Sequence, residues 1–135
     1  MKRFLFSCAF FLLTTLAFSQ DIEDKASFLT NEMNTLLSLT SEQTEKVILV
    51  NTRRFKVEDN AKARLADNAR YQHAKSENFQ SEAGQQMLEQ LNTRIEKGEN
   101  RYDLAMSTIL DASQYEIYLQ NKTRLLEEVA IEFGE

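Results

Sequence analysis

The stretch Leu39-Thr40-Ser41-Glu42-Gln43 marks the start of a helix, and the prediction of the fold begins from it. The Thr40 hydroxyl can accept a hydrogen bond from the backbone N–H of Gln43, and the Gln43 side chain can reach back to the N–H of Thr40. Leu39, just before this cap, is placed to pack on the first turns as a hydrophobic staple. The stretch therefore predicts a capping box and a helix that begins after Thr40.

A second start with the same chemistry, Leu110-Asp111-Ala112-Ser113-Gln114, lies 71 residues further along the chain. Asp111 is a good N-cap residue, Gln114 occupies the position that reaches back, and Leu110 occupies the staple position. The chain therefore contains two helix starts with matching chemistry.

The composition favours helices and excludes several other classes of protein. The chain has 135 residues with no proline, three glycines and one cysteine. Sandwiches and barrels need frequent turn residues, and a disulfide scaffold or a cysteine-ligated metal site needs more than one thiol. A Pro/Gly-rich disordered protein is excluded as well. The length fits a single domain.

The spacing of apolar residues in steps of three and four predicts an all-α fold of about four helices. The second would be nearly 60 Å long at 1.5 Å per residue, since no proline interrupts it. The third carries a heptad-like apolar stripe from Leu88 to Ile109. The predicted helices span residues 22–37, 41–78, 82–109 and 112–133.

The first nineteen residues have the layout of a secretory signal peptide. Lys2 and Arg3 precede an apolar run over 4–17, and small residues then stand at the −3 and −1 positions before Gln20. The alternative is a membrane anchor, but a span needs about 20 predominantly apolar residues. We therefore expect cleavage of residues 1–19, export of the chain, and one domain over residues 20–135.

Removal of residues 1–19 changes the charge of the chain. The segment holds two of the 16 basic residues, none of the 21 acidic residues and the single cysteine. Residues 20–135 therefore carry 14 basic and 21 acidic residues, which gives a net charge of −7. A strongly acidic chain does not suit general nucleic-acid binding, which needs a basic surface to displace counterions. A chain without thiols must be stabilised by helix packing or association.

Basic residues are concentrated between residues 41 and 80, a segment that contains eight basic and six acidic residues. Such a segment could steer acidic or unfolded chains toward weak hydrophobic contacts. The alternative is an ordinary solvated helix face. The residues predicted to steer a client are Arg53, Arg54, Lys56, Arg64 and Arg70.

The two helix starts resemble the paired Leu-Thr-x-x-Gln motifs of the Spy/CpxP family of small periplasmic stress proteins. The matching positions are Leu39, Thr40, Gln43, Leu110 and Gln114. The second motif departs from the family pattern, because an aspartate stands where the family has threonine. Aspartate retains the capping role.

The resemblance implies long, curved, antiparallel helices that associate as a cradle-shaped homodimer. It also implies an ATP-independent chaperone that holds unfolding clients, or an inhibitor of an envelope-stress sensor kinase. Neither expectation follows from the helical periodicity alone.

No pattern of catalytic or metal-binding residues can be recognised in the sequence. His73 is the only histidine and has no second nitrogen or sulfur ligand near it, and no Ser, His and Asp can be assigned to a triad. We therefore predict a protein that is not an enzyme and needs no cofactor or metal. The alternative function is a structural helical-bundle or coiled-coil subunit of the envelope, with one dedicated partner docked on the stripe from Leu88 to Ile109.

Overall fold

The chain forms an all-helical structure, as predicted. A computed structural model describes the backbone of residues 4–135 and the side chains of residues 20–135, and within that range there is no strand. The predicted signal peptide, residues 1–19, lies outside the described side chains and stays a prediction. The helices are α1 (Phe4–Leu37), α2 (Ser41–Ala66), α3 (Ala69–Ser76), α4 (Glu82–Ile109) and α5 (Ala112–Phe133).

Both predicted capping boxes are confirmed. The Gln43 N–H donates to Thr40 Oγ1 over 3.1 Å, and the Thr40 N–H donates to Gln43 Oε1 over 3.0 Å. The same reciprocal pair joins Asp111 and Gln114, at 2.8 and 3.0 Å. Helices α4 and α5 have the bounds that the sequence predicts, since both have a clear cap at their start.

The prediction of one long second helix over residues 41–78 is wrong. The helix is interrupted after Ala66, and the Asn68 side chain accepts a hydrogen bond from the Tyr71 N–H over 3.0 Å. Asparagine and aspartate favour such local bonds over the interior of a helix, so a new helix, α3, begins here. At 26 residues, α2 is about 39 Å long rather than nearly 60 Å.

The hydrophobic core begins at the end of the molecule where the two capped turns meet and runs along α1 and α5. Helix α1 packs on α2 and α5, and the second half of α4 completes the core. Leu110 is buried and Leu39 packs against the core from its edge, as expected for staple residues. The largest fully buried apolar side chains are Leu29, Met33, Val47, Met106, Tyr118, Leu125 and Val129.

A polar chain crosses this core. The fully buried Asn51 donates through Nδ2 to Thr30 Oγ1 over 2.9 Å, and Thr30 donates to the carbonyl oxygen of Ala26 over 2.7 Å. From the other side, the Tyr102 hydroxyl donates to Asn51 Oδ1 over 2.5 Å. Asn51 therefore joins α1, α2 and α4 through groups that have no access to water.

The part of the chain far from this end has almost no core. Over residues 56–101, which we call the distal segment, only Ala74 and Gly84 are buried. The apolar stripe of α4 continues into this segment, but Leu88 and Leu91 are half-buried and Ile95 is exposed. The stripe therefore has less protein to pack against here than it has around Tyr102.

Candidate functional site

The exposed side of α2 combines apolar and basic side chains on one helix face. Leu49, Arg53 and Val57 are spaced by four residues, which places them on the same side of a helix. Leu49 is 69% exposed and Val57 is 59% exposed, although both are large apolar residues. With Lys56 and Arg64, both also exposed, these residues form what we call the outer face of α2.

The structure separates the five basic residues predicted to steer a client. Arg53, Lys56 and Arg64 lie on the outer face of α2, and Arg70 is exposed on α3. None of these four has a carboxylate within ion-pair distance among the described side chains. Arg54 is different, since its side chain is only 14% exposed and points into the contact between helices.

Arg54 belongs to a group of four alternating charges that joins three helices, which we call the charge cluster. Arg54 of α2 contacts Glu99 Oε1 of α4 over 2.6 Å, and Lys122 of α5 contacts the other oxygen of Glu99 over 2.8 Å. Lys122 also contacts Asp103 over 2.7 Å. The Tyr118 hydroxyl donates to the same Asp103 oxygen over 2.7 Å.

The environment of the charge cluster favours its charged form. Burial alone would raise the pKa of Glu99, but the hydrogen bonds from Arg54 and Lys122 outweigh burial and lower the pKa below its usual 4.5. The guanidinium of Arg54 also lies over the Tyr102 ring, 4.6 Å from its centroid. Burial raises the pKa of the Tyr102 hydroxyl, which therefore stays protonated and donates to Asn51.

The two glutamines of the capping boxes also bind each other, which joins two turns distant in sequence. Gln43 Nε2 donates to Gln114 Oε1 over 2.7 Å, and Gln114 Nε2 donates to Gln43 Oε1 over 3.2 Å. Each amide also donates to a backbone carbonyl at the other turn. Gln43 Nε2 donates to the carbonyl oxygen of Ile109, and Gln114 Nε2 donates to that of Leu37, both over 3.1 Å. We call this double amide contact the glutamine pair. Each side chain thus caps its own helix and also ties the last turn of another helix to it.

The described side chains include no group that could hold a metal ion. Among the side chains of residues 20–135, no three His, Cys, Asp or Glu residues are grouped so that they could hold an ion. His73 is exposed and lies 3.6 Å from Glu77, one turn away on the helix surface. Over the described residues, no helix is both long and apolar enough to cross a membrane.

Comparison with known proteins gives one match. The model of a family described as a domain of unknown function (DUF4890) matches residues 17–118, which are 102 of the 135 residues. No curated protein and no solved structure matches the chain. The matched range includes both capping boxes, the outer face of α2 and most of the charge cluster. The chain therefore belongs to the DUF4890 family, whose function is not defined by its description.

Proposed function

We propose that this protein is exported to the periplasm and binds unfolded or partly folded protein chains there, without ATP, metal or cofactor. The observation that carries the proposal is the outer face of α2, where Leu49 and Val57 lie beside Arg53 and Lys56. All four side chains are exposed, and neither cation forms an ion pair with a described side chain. Exposed apolar groups mark interaction sites in soluble proteins, and the positive charges would attract acidic chains before contact. A segment of an envelope sensor that carries both acidic and apolar side chains would fit the same face.

The arrangement of charge in the remainder of the chain supports transient binding. The net acidic charge of the chain favours solubility, and the three basic residues Arg53, Lys56 and Arg64 give the outer face of α2 a local positive character. Two isolated apolar side chains supply only weak attachment, since each contributes about 1 to 2 kcal/mol when buried. A client held this weakly could be released without an energy source.

Replacement of Leu49 and Val57 by Ser is expected to weaken client binding at least about 30-fold, because about 2 to 4 kcal/mol of apolar contact is lost. The assay is light scattering from a reduced or acid-unfolded substrate protein as it aggregates, with and without the protein. Replacing Arg53, Lys56 and Arg64 by Ser is expected to slow capture mainly at low salt, where electrostatic steering is strongest.

The matched control is the pair Leu104→Ser and Ile131→Ser, which removes equally exposed apolar side chains from α4 and α5. These variants should suppress aggregation as the unmodified protein does. The chaperone proposal is wrong if the unmodified protein gives no suppression at an equimolar ratio. It also fails if the control pair loses as much activity as L49S/V57S.

A second copy of the chain is proposed to cover the apolar stripe of α4, so that antiparallel helices of two protomers form a cradle. The supporting observation is Ile95, which continues the stripe of Tyr102 and Met106 yet is 56% exposed. The alternative occupant is one dedicated envelope partner, which would make the protein a structural subunit. Pull-down from the native envelope followed by mass spectrometry separates many clients from one partner.

Ile95→Asp is expected to convert the dimer to a monomer, because it places a charge in the middle of the covered stripe. Leu104→Asp is the control, since nine residues along α4 place Leu104 on the opposite side of the helix. Size-exclusion chromatography with light scattering measures the mass. A stable monomer for the unmodified protein at micromolar concentration would contradict the proposal.

A further inference from the structure

Helix α5 is attached to its two neighbours by different kinds of contact. Toward α1 the contact is largely apolar and extends to the end of α5, where the Phe133 ring lies 5.9 Å from the Phe28 ring. Toward α4, only a few residues of α5 lie close to the neighbouring backbone. The polar contacts on that side run from Lys122 and Tyr118 to the carboxylates of Glu99 and Asp103.

All the polar contacts between α5 and α4 therefore end on two carboxylates. The charged and titratable groups around them come from three helices, and no charged side chain of the described part of α1 forms an ion pair with them. These groups are Arg54 and Glu58 of α2, Glu99, Tyr102 and Asp103 of α4, and Tyr118 and Lys122 of α5.

Neutralisation of the two carboxylates would leave two largely buried cations next to uncharged groups. Arg54 and Lys122 would lose their counter-charges, and Arg54 Nε is already buried without a hydrogen-bond partner among the described residues. An uncompensated buried charge is strongly destabilising, whereas α5 can keep its apolar contact with α1. The least costly response is movement of α5 away from α4, which exposes Lys122 to water.

We propose that Glu99 and Asp103 form an acid-opened latch, whose protonation separates α5 from α4 and exposes the buried rings of Tyr102 and Tyr118. This inference rests on the charge cluster and does not depend on the proposed client binding. Its consequence would be a second apolar surface that is available only in acid.

The direction of the pH dependence follows from Glu99. Its pKa is lower in the folded protein than the usual 4.5, so its stabilising contribution is complete above pH 4.5. That contribution is lost as the pH falls through the lowered value. The latch is therefore closed at neutral pH and opens only in acid.

Tyrosine is a suitable probe of the latch. The chain has four tyrosines and no tryptophan, and Tyr102, Tyr115 and Tyr118 are packed together at the latch. We expect acid titration of the full chain to remove the near-UV circular dichroism in one step while the far-UV helical signal remains. The variant Tyr71→Phe removes the fourth tyrosine and should leave this step unchanged.

The latch variants are Glu99→Gln with Asp103→Asn, and Lys122→Met. The amide pair should have the near-UV spectrum of the acid state already at neutral pH, with no further acid step. Lys122→Met removes the largely buried cation whose exposure to water drives α5 away from α4, so the near-UV step in acid should be lost or much smaller. This single variant decides the question if the amide pair does not fold.

Exposed charges provide the matched controls. Lys46→Met removes a solvent-exposed partner of Glu42, and Glu127→Gln with Glu132→Gln removes two exposed carboxylates of α5. These variants should keep the midpoint of the unmodified protein. Simultaneous loss of the near-UV and far-UV signals, or an unchanged near-UV step in Lys122→Met, would overturn the proposal.

Discussion

Replacement of Asn51 by Leu is expected to lower the free energy of unfolding by about 3 kcal/mol. Asn51 is fully buried, accepts from the Tyr102 hydroxyl and donates to Thr30 Oγ1. Leucine is similar in size but leaves the Tyr102 hydroxyl without an acceptor in a site that water cannot reach. The loss should appear in urea unfolding followed by far-UV circular dichroism, with an unchanged slope if only stability is affected.

Variants of Tyr102, the hydrogen-bond partner of Asn51, show whether the loss of stability comes from an unpaired polar group or from a change in packing. Tyr102→Phe alone should cost about 1 to 2 kcal/mol, because Asn51 Oδ1 then loses its donor. The double variant should cost less than the sum of the singles, since it removes both ends of the hydrogen bond together. Asn60→Leu is the control, as Asn60 is exposed on the same helix and should change stability by less than about 0.5 kcal/mol. Additive single variants would show that packing, not the hydrogen bond, accounts for the loss.

The polarity of Asn51 also explains why the sequence could not place Arg54. Val47, Asn51 and Phe55, spaced by four residues, form the buried side of α2. Because the central residue is polar, a hydropathy pattern does not recognise this side of the helix as buried. The sequence pattern therefore does not distinguish the largely buried Arg54, three residues after Asn51, from the exposed Arg53. One residue corresponds to about 100° of rotation, which turns Arg53 to solvent and Arg54 toward Glu99.

Helix starts were predictable where the capping chemistry was complete, and helix interruption was not. Both capping boxes combine an N-cap with a glutamine that reaches back, so α2 and α5 begin at the predicted positions. The break at Asn68 depends on one side-chain hydrogen bond within a polar stretch of helix. Competition of this kind involves about 1 kcal/mol or less, which a pattern of apolar residues does not reveal.

The uneven distribution of the core connects stability with the proposed binding. The core along α1 and α5, which begins at the capped turns, holds almost all buried residues, whereas the distal segment holds two. Segments with few buried apolar contacts open at low free-energy cost. The outer face of α2 begins at the stable end with Leu49 and extends into the distal segment with Val57. A client on this face would thus contact one anchored half of the helix and one half that can adapt.

The contact between the two capping boxes could not be predicted, because the two glutamines are 71 residues apart and each already has a local role. Replacement of either Gln43 or Gln114 by Ala is expected to cost about 2 kcal/mol. The cap bond, the bond to the other glutamine and the bond to a helix-end carbonyl are lost together. The double variant should cost about 3 kcal/mol, which leaves a coupling of about 1 kcal/mol between the two sites.

Two further variants separate the capping role from the glutamine pair. Ser81→Ala removes a cap that has no second function, since Ser81 Oγ accepts only from the Gly84 N–H, and should cost about 1 kcal/mol. Gln43→Glu keeps an oxygen for the Thr40 N–H but cannot donate to Gln114 Oε1 or to the Ile109 carbonyl oxygen. If the glutamine pair joins the two turns, Gln43→Glu should be at least as destabilising as Gln43→Ala in urea unfolding. A Gln43→Glu variant as stable as the unmodified protein would mean that Gln43 acts as a helix cap alone, and that the core holds the two turns together without it.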